Sequence, residues 1–437
     1  MNRRRFLTAA AAVPITLAAA PYVLGRTGKT YRTALIGAGW WGMNILREAL
    51  AAGRSSVVAL CDADGRTLTT AADEVNDLAG TAPKKYEDFR ELLEKEKPEI
   101  VIVATPDHWH ALPTVAALKS GAHVFVEKPT GHTVAESQAI VKAARESGRV
   151  VQVGLHRRIG PHHVSGMKFL KSGGAGKVGL VRMFVTGGGG PERPTPNSDP
   201  PKKLNWDLYC GPAPLRPFNT KIHPGGWRNF LDFGNGTLGD WGVHWLDQVL
   251  WWADDPALKK IYSTGGRPIR GPAILTEKEQ TTDAPDSQVV VYDFESFTCI
   301  WEHRQFAAND GDKHKIGCYF HGTKGTFHMG WRDGWTFYPS NNREKVVHED
   351  AQLQEPDGHS LKLLWADFLN AMDNRAAPVA GVERGHRATT AALLGMVSLK
   401  LGRSIAWDAA KENVPGDDAA NALLLRPYRG PWVQPVG

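Results

Sequence analysis

Between residues 33 and 154, short apolar runs alternate with stretches whose apolar residues recur at helical spacing. Residues 34–36, 57–61, 100–104, 123–126 and 150–153 read as strands. Their near-continuous apolarity suits a parallel sheet covered on both faces. Between the last two, Thr133 and Glu136 form a T-x-x-E capping box ahead of a helical run at 137–147. This alternation predicts a doubly wound α/β domain. A Gly/Pro-rich stretch at 187–201 reads as a loop over a site, without regular structure. Beyond it, residues 287–294, 297–304, 315–321 and 326–330 read as antiparallel strands, with a tight turn at Thr323-Lys324-Gly325. Helical patterns occupy 360–372 and 385–402, and no internal repeat is detectable. The predicted fold class is therefore α/β: an N-terminal Rossmann-type parallel sheet over 31–155, then an α+β domain over 156–437 with a largely antiparallel, open-faced sheet.

The 437 residues are ample for two domains, and 42% hydrophobic with 22% charged residues is the balance of a globular protein. Residues 1–30 read differently, as a targeting segment. Arg3-Arg4-Arg5-Phe6-Leu7 precedes a mild apolar stretch broken by Pro14 and the small residues Ala18, Ala19 and Ala20, as in a twin-arginine export signal. Periplasmic localisation is the expectation. Pro21 disfavours cleavage after Ala20, which leaves a retained membrane anchor as the alternative. Without Arg3, Arg4 and Arg5 the net charge falls from +6 to +3, too little and too scattered for a nucleic-acid partner. Cys61, Cys210, Cys299 and Cys318 show no metal-binding spacing. Cys299 and Cys318 fall on predicted strands read as neighbours, so either a disulfide or two buried thiols fits.

The first strand runs into Gly37-Ala38-Gly39-Trp40-Trp41-Gly42, a G-x-G-x-x-G at a strand-to-helix junction. There Gly37 permits the turn, Gly39 admits a pyrophosphate, and Gly42 lets helix and strand pack. The helix start offers its free N–H groups to the phosphates. Asp62 lies 20 residues after Gly42 at the second strand's end, where a carboxylate accepts ribose hydroxyls and repels a 2′-phosphate. NAD is the expected cofactor, with NADP left open by the nearby Arg66. Thr105-Pro106-Asp107-His108-Trp109-His110 and Glu127-Lys128-Pro129 end the next two strands at the same sheet edge. Candidate cofactor residues are thus Gly37, Gly39, Trp41, Gly42, Asp62, Thr105, His110 and Glu127.

Lys128 would stand in the mouth of the nicotinamide site, able to stabilise a developing alkoxide; a surface lysine in a helix-entry turn is the plainer reading. If 238–252 is one α-helix, Asp240 and His244 share a face at i and i+4, with Asp247 a turn later. His244 can then move a proton while Asp240 orients it. A buried histidine bonded to its helix neighbour fits equally well. A metal pair there lacks a third ligand, and no metal site is expected. Trp241, Trp245 and Trp252 read as a packed stripe. Trp227, Arg228, His156 and Arg157 are the candidate substrate contacts.

These motifs, with Val151-Gln152-Val153-Gly154, resemble the Gfo/Idh/MocA oxidoreductases over essentially all of 31–432. The resemblance implies that Lys128 holds the reacting hydroxyl and that His244, with Asp240, is the acid/base group. It also implies subunit contacts through the open sheet, hence a homo-oligomer. Residues 206–214 and 426–432 look like the exported, sugar-directed branch. The expected function is hydride transfer between bound NAD and a carbohydrate hydroxyl. The alternatives are an NAD-dependent glycoside hydrolase working through a transient keto-sugar and, in another class, a noncatalytic sugar-binding protein. No stable membrane insertion is expected.

Overall fold

The computed structural model describes residues 28–309, 311–353 and 355–435. The twin-arginine segment, up to residue 27, lies outside the described residues. Six parallel strands, β1 (Tyr31–Ile36), β2 (Ser55–Cys61), β3 (Lys84–Tyr86), β4 (Ile100–Val103), β5 (His123–Val126) and β6 (Val151–Val153), form a sheet in the order 3-2-1-4-5-6. Helices α1 (Trp40–Ala51), α2 (Gly65–Ala79), α3 (Phe89–Glu96), α4 (Ala111–Lys119) and α5 (Val134–Ser147) connect them. This is the doubly wound arrangement, whose strand order reverses between β1 and β4 and opens a crevice there. The capping box that starts α5 is formed on both sides by Thr133 and Glu136. The sixth strand, β3, escaped the sequence reading because Lys84 and Lys85 are exposed at the sheet edge and leave no apolar run.

The second domain contains α6 (Pro161–Lys171), β7 (Val178–Thr186), β8 (Thr195–Pro196), α7 (Trp206–Cys210), α8 (Val243–Trp252), β9 (Leu258–Gly266), β10 (Glu279–Gln280), β11 (Ser287–Phe294), β12 (Thr298–Arg304), β13 (Ile316–Gly322), β14 (Gly325–Gly330), β15 (Trp335–Pro339), β16 (Val347–Glu349), α9 (Pro356–Asn374), α10 (Val382–Leu401) and β17 (Ile405–Ala406). Nine strands make one sheet in the order 16-15-14-13-7-12-11-9-17, antiparallel except for the β7–β12 pair. One face packs on α8 and α10, while Tyr262 and Val289 lie exposed on the other.

Three expectations are corrected here. Strand β7 runs between β12 and β13, so Cys299 and Cys318 are not on neighbouring strands. Two strand spacings put their Cα atoms about 10 Å apart, beyond disulfide reach, and all four cysteines are buried thiols. The 187–201 stretch contains β8, which pairs with β10, and it does not line the principal cleft. Glu192 ties it down instead, accepting from Lys221, Arg267 and Thr282. Finally, α9 packs into the first domain: Leu361, Leu364, Trp365, Phe368 and Leu369 join the Rossmann core, and Asp373 pairs with Arg54. Helical periodicity shows that a face is buried but not which domain buries it.

Candidate active site

The crevice at the carboxyl ends of β1, β2, β4 and β5 widens into a cleft of about 1000 Å³ between the domains. Its upper wall is the segment 204–235, held by a small core of Leu204, Trp206, Tyr209, Phe218, Trp227 and Phe233. Trp109 Nε1 anchors this wall by donating to the Tyr209 carbonyl at 3.0 Å. The segment that covers the cleft is therefore this one.

At the glycine turn each position does something different. Gly37 has φ +91°, and a Cβ there would stand 2.6 Å from the Ala104 backbone. A Cβ on Gly42 would meet the Gly37 carbonyl at 2.1 Å. A Cβ on Gly39 meets nothing within 4 Å, although the residue lines the cleft. Gly37 and Gly42 thus serve the fold, and Gly39 leaves a cradle that a pyrophosphate can fill. Helix α1 has no side-chain cap and no acidic residue in its first turn, so its N–H groups remain available to an anion. Asp62 accepts from Ala38 N at 2.8 Å and Asp64 N at 2.9 Å, and still has lone pairs for ribose hydroxyls. Burial raises its pKa against the pull of those two bonds. Arg66 forks onto Asp64 through Nε and Nη2 at 3.0 and 2.7 Å, which withdraws it from a 2′-phosphate. Thr105 Oγ1 is buried without a hydrogen-bond partner among the described residues, and the Glu127 carboxylate is buried beside the Trp41 indole. With the open cradle, they fit a polar dinucleotide. His110 also lines the cleft, but its ring nitrogens lie 2.6 Å from the Pro129 carbonyl and 2.9 Å from that of Thr105. Both ring nitrogens thus face backbone carbonyls, and the single N–H of the neutral ring can donate to only one of these two strand-end turns.

Deeper in, Lys128 Nζ donates to Asp240 Oδ1 at 2.7 Å and to its carbonyl at 2.9 Å; Arg228 Nε approaches the same carboxylate at 3.3 Å. Burial would raise the Asp240 pKa, but these two cations outweigh it and hold the carboxyl below its ordinary value. The expected Asp240–His244 pairing is not what the structure shows. Residues Leu238–Gly242 wind as a π-helix before α8 begins, and Asp240 serves Lys128. Asp247 likewise pairs with buried Arg158. His244 is buried between the rings of His156 and Trp331, with centroids 5.3 and 5.1 Å away, and its Nδ1 has no partner among the described residues. Burial first, then the charges of Lys128 and Arg157, press its pKa well below 6.5, so the ring is neutral.

Of the substrate candidates, His156, Trp227 and Arg228 line the cleft, with Arg228 stacked on Trp227 at 4.3 Å. Arg157 does not: it is buried beneath, 3.9 Å over the Trp331 ring and bonded to Asp357. Of the tryptophan stripe, Trp245 is fully buried and Trp252 packs on Phe297 and Phe320. Trp241 departs from it, lining the cleft against Trp331 at 5.1 Å. Three further residues of the site were not singled out from the sequence. Trp331 follows β14 with no motif around it. Asp357 reaches His156 Nε2 at 3.3 Å from the start of α9. Asp107 belongs to the 105–110 segment, and burial pushes its pKa up to about 7 beside Lys128 and Asp240.

Three family descriptions match successive parts of the chain: an oxidoreductase family with NAD-binding Rossmann fold over residues 31–155, and two GFO/IDH/MocA C-terminal domains over 167–328 and 312–434. The chain belongs to the Gfo/Idh/MocA oxidoreductase family. Its first domain is the NAD-binding module of that family. Among curated proteins it is similar to a glycosyl hydrolase family 109 protein of Saccharopolyspora erythraea, 34% identical over 125 residues, covering 28% of this chain but only 27% of that protein. It is also 23% identical over 370 residues to D-glucoside 3-dehydrogenase of Escherichia coli (strain K12), covering 82% of this chain and 93% of that one. Levoglucosan dehydrogenase, solved with NADH and levoglucosan, shares the fold at a TM-score of 0.65 and 18% identity, covering 86% of this chain and 99% of that one. Among the described residues, no helix is long and apolar enough to cross a membrane.

Proposed function

We propose that this Gfo/Idh/MocA protein oxidises a carbohydrate hydroxyl with NAD as hydride acceptor. One observation carries the reading: the Lys128 ammonium and the neutral, unpaired His244 ring share a cleft with the open backbone cradle at Gly39. A bound nicotinamide supplies the two-electron acceptor. Lys128 offers a charged N–H to the substrate oxygen and favours its alkoxide form. Asp240 positions that ammonium. His244 takes the hydroxyl proton on its unprotonated nitrogen, which its low pKa keeps available at neutral pH. Trp227, Arg228 and His156 suit the ring face and remaining hydroxyls of a sugar. The likeness to D-glucoside 3-dehydrogenase and levoglucosan dehydrogenase supports this substrate class, and Asp62 favours NAD over NADP.

A second reading, redox-neutral glycoside cleavage through a keto-sugar, draws on the likeness to a family 109 glycosyl hydrolase in the first domain. Incubation of α- and β-nitrophenyl glycosides in deuterated water without added NAD separates the two. Oxidation of one sugar with stoichiometric reduction of a second supports the oxidoreductase. Cleavage with deuterium incorporated beside the oxidised carbon establishes the hydrolase, and an unchanging cofactor spectrum across a sugar panel returns the noncatalytic binder.

The arginine-led N-terminus supports export by a twin-arginine route to the periplasm, testable by cell fractionation. The exposed sheet face around Tyr262 and Val289 supports a homo-oligomer, testable by light scattering.

A further inference from the structure

Away from Lys128, three side chains from three segments converge on the cleft's far side. His314 lies before β13, His328 on β14, and Asp333 in the turn between β14 and β15. One ligand atom from each lies within 4.8 Å of the others. Along β14, Phe327 and Met329 enter the hydrophobic core, so strand alternation sends His328 to the opposite face of the sheet. It is nonetheless only 1% exposed, since the His314 ring lies flat over it at 3.7 Å, tilted 22°. The Nε2 atoms of both rings are buried with no hydrogen-bond partner among the described residues. His314 Nδ1 pairs with the half-exposed Asp333 carboxylate at 2.9 Å. Two stacked imidazoles, each with an unpaired buried nitrogen, make a costly arrangement for a purely structural element.

We propose that His314, His328 and Asp333 bind a divalent cation of the zinc class. Two imidazoles and one carboxylate favour a late first-row ion over magnesium or calcium, which prefer all-oxygen sites. Zinc bonds of about 2.0–2.2 Å space ligand atoms by roughly 3.5 Å, so the cluster must tighten by about 1 Å. Because an imidazole lone pair lies in the ring plane, His314 must also turn out of its stack on His328 to face the same ion, and Asp333, half-exposed on a turn, can move with it. Three protein ligands leave coordination open. Because His314 and Asp333 line the cleft, water or a substrate oxygen can fill it.

The test uses the untagged full-length protein, stripped with a chelator, dialysed, and titrated with zinc sulfate by calorimetry and with cobalt(II) by visible absorption. The expected result is one zinc per chain with a Kd at or below about 10 µM, and tetrahedral-type cobalt bands. Asp333→Asn and His314→Gln should each weaken zinc binding by about 10-fold or more while circular dichroism and melting stay unchanged. No zinc binding below about 1 mM, or tight binding that both substitutions leave unaltered, would overturn the proposal. So would saturation by magnesium at equal concentration.

Discussion

Replacing Gly39 by alanine separates what the glycine turn does for the fold from what it does for the cofactor. Gly39 sits at φ −68° and ψ 179°, a conformation alanine adopts without strain, and its added Cβ has no neighbour within 4 Å. Folding should not suffer. Gly→Ala at a compatible position stabilises by about 0.4–1 kcal/mol through the unfolded chain. Cofactor binding is another matter, because that space is where a pyrophosphate approaches the backbone. An extra methyl in a close-packed contact costs about 1–3 kcal/mol, equivalent to roughly 5- to 150-fold in Kd. Gly37→Ala is the control. At φ +91° and 2.6 Å from the Ala104 backbone, it should lower the melting temperature outright. The assay is NADH fluorescence titration beside differential scanning calorimetry on both variants. If Gly39→Ala binds NADH within twofold of the parent, the cradle assignment is wrong. If it melts well below the parent, the open-space reading of the backbone is wrong.

Lys128→Met and His244→Ala should each reduce sugar-dependent cofactor reduction by about 100-fold or more while NAD stays bound, as stopped-flow absorbance and equilibrium dialysis will show. Asp62→Ala removes the charge facing the ribose, so the preference for NAD over NADP should narrow by about tenfold or more in competitive titration. Burial lowers the pKa of His110 to about 4, that of His303 to about 4 and that of His108 to about 3. The unfolded chain therefore takes up protons first as pH falls below about 6.5, and stability present above that pH is lost progressively towards pH 4. His110 alone accounts for about 2 kcal/mol at pH 5. Asp107, raised to about 7, opposes this, as do Asp62, Glu127 and Asp247, whose pKa values burial also raises. The lowered histidines are more numerous, with His132, His163 and His244 among them, so urea midpoints at pH 7 and pH 5 should differ in favour of pH 7. Phe368→Ala, in the Rossmann core though distant in sequence, should cost about 3–5 kcal/mol in the same denaturation assay.

Features governed by neighbours in sequence were legible without the structure. The glycine turn follows from local backbone constraint: Gly37 needs a positive φ, and Gly42 must lie against the Gly37 carbonyl. The α5 capping box closes within four residues. The buried parallel strands announce themselves because both their faces are covered. Pairings across the chain were decided by tertiary structure alone. The i, i+4 argument for Asp240 and His244 presumes α-helical winding, but the π turn at Leu238–Gly242 brings residues five apart into register. Asp240 is then free to meet Lys128 from a strand end 112 positions away. Strand β7 separates the two cysteines, while α9 brings Asp357 to His156 and Arg157 and lays its apolar face on the Rossmann core. Periodicity records that a face will be buried. Its partner depends on chain crossovers, which leave no local trace in composition or spacing.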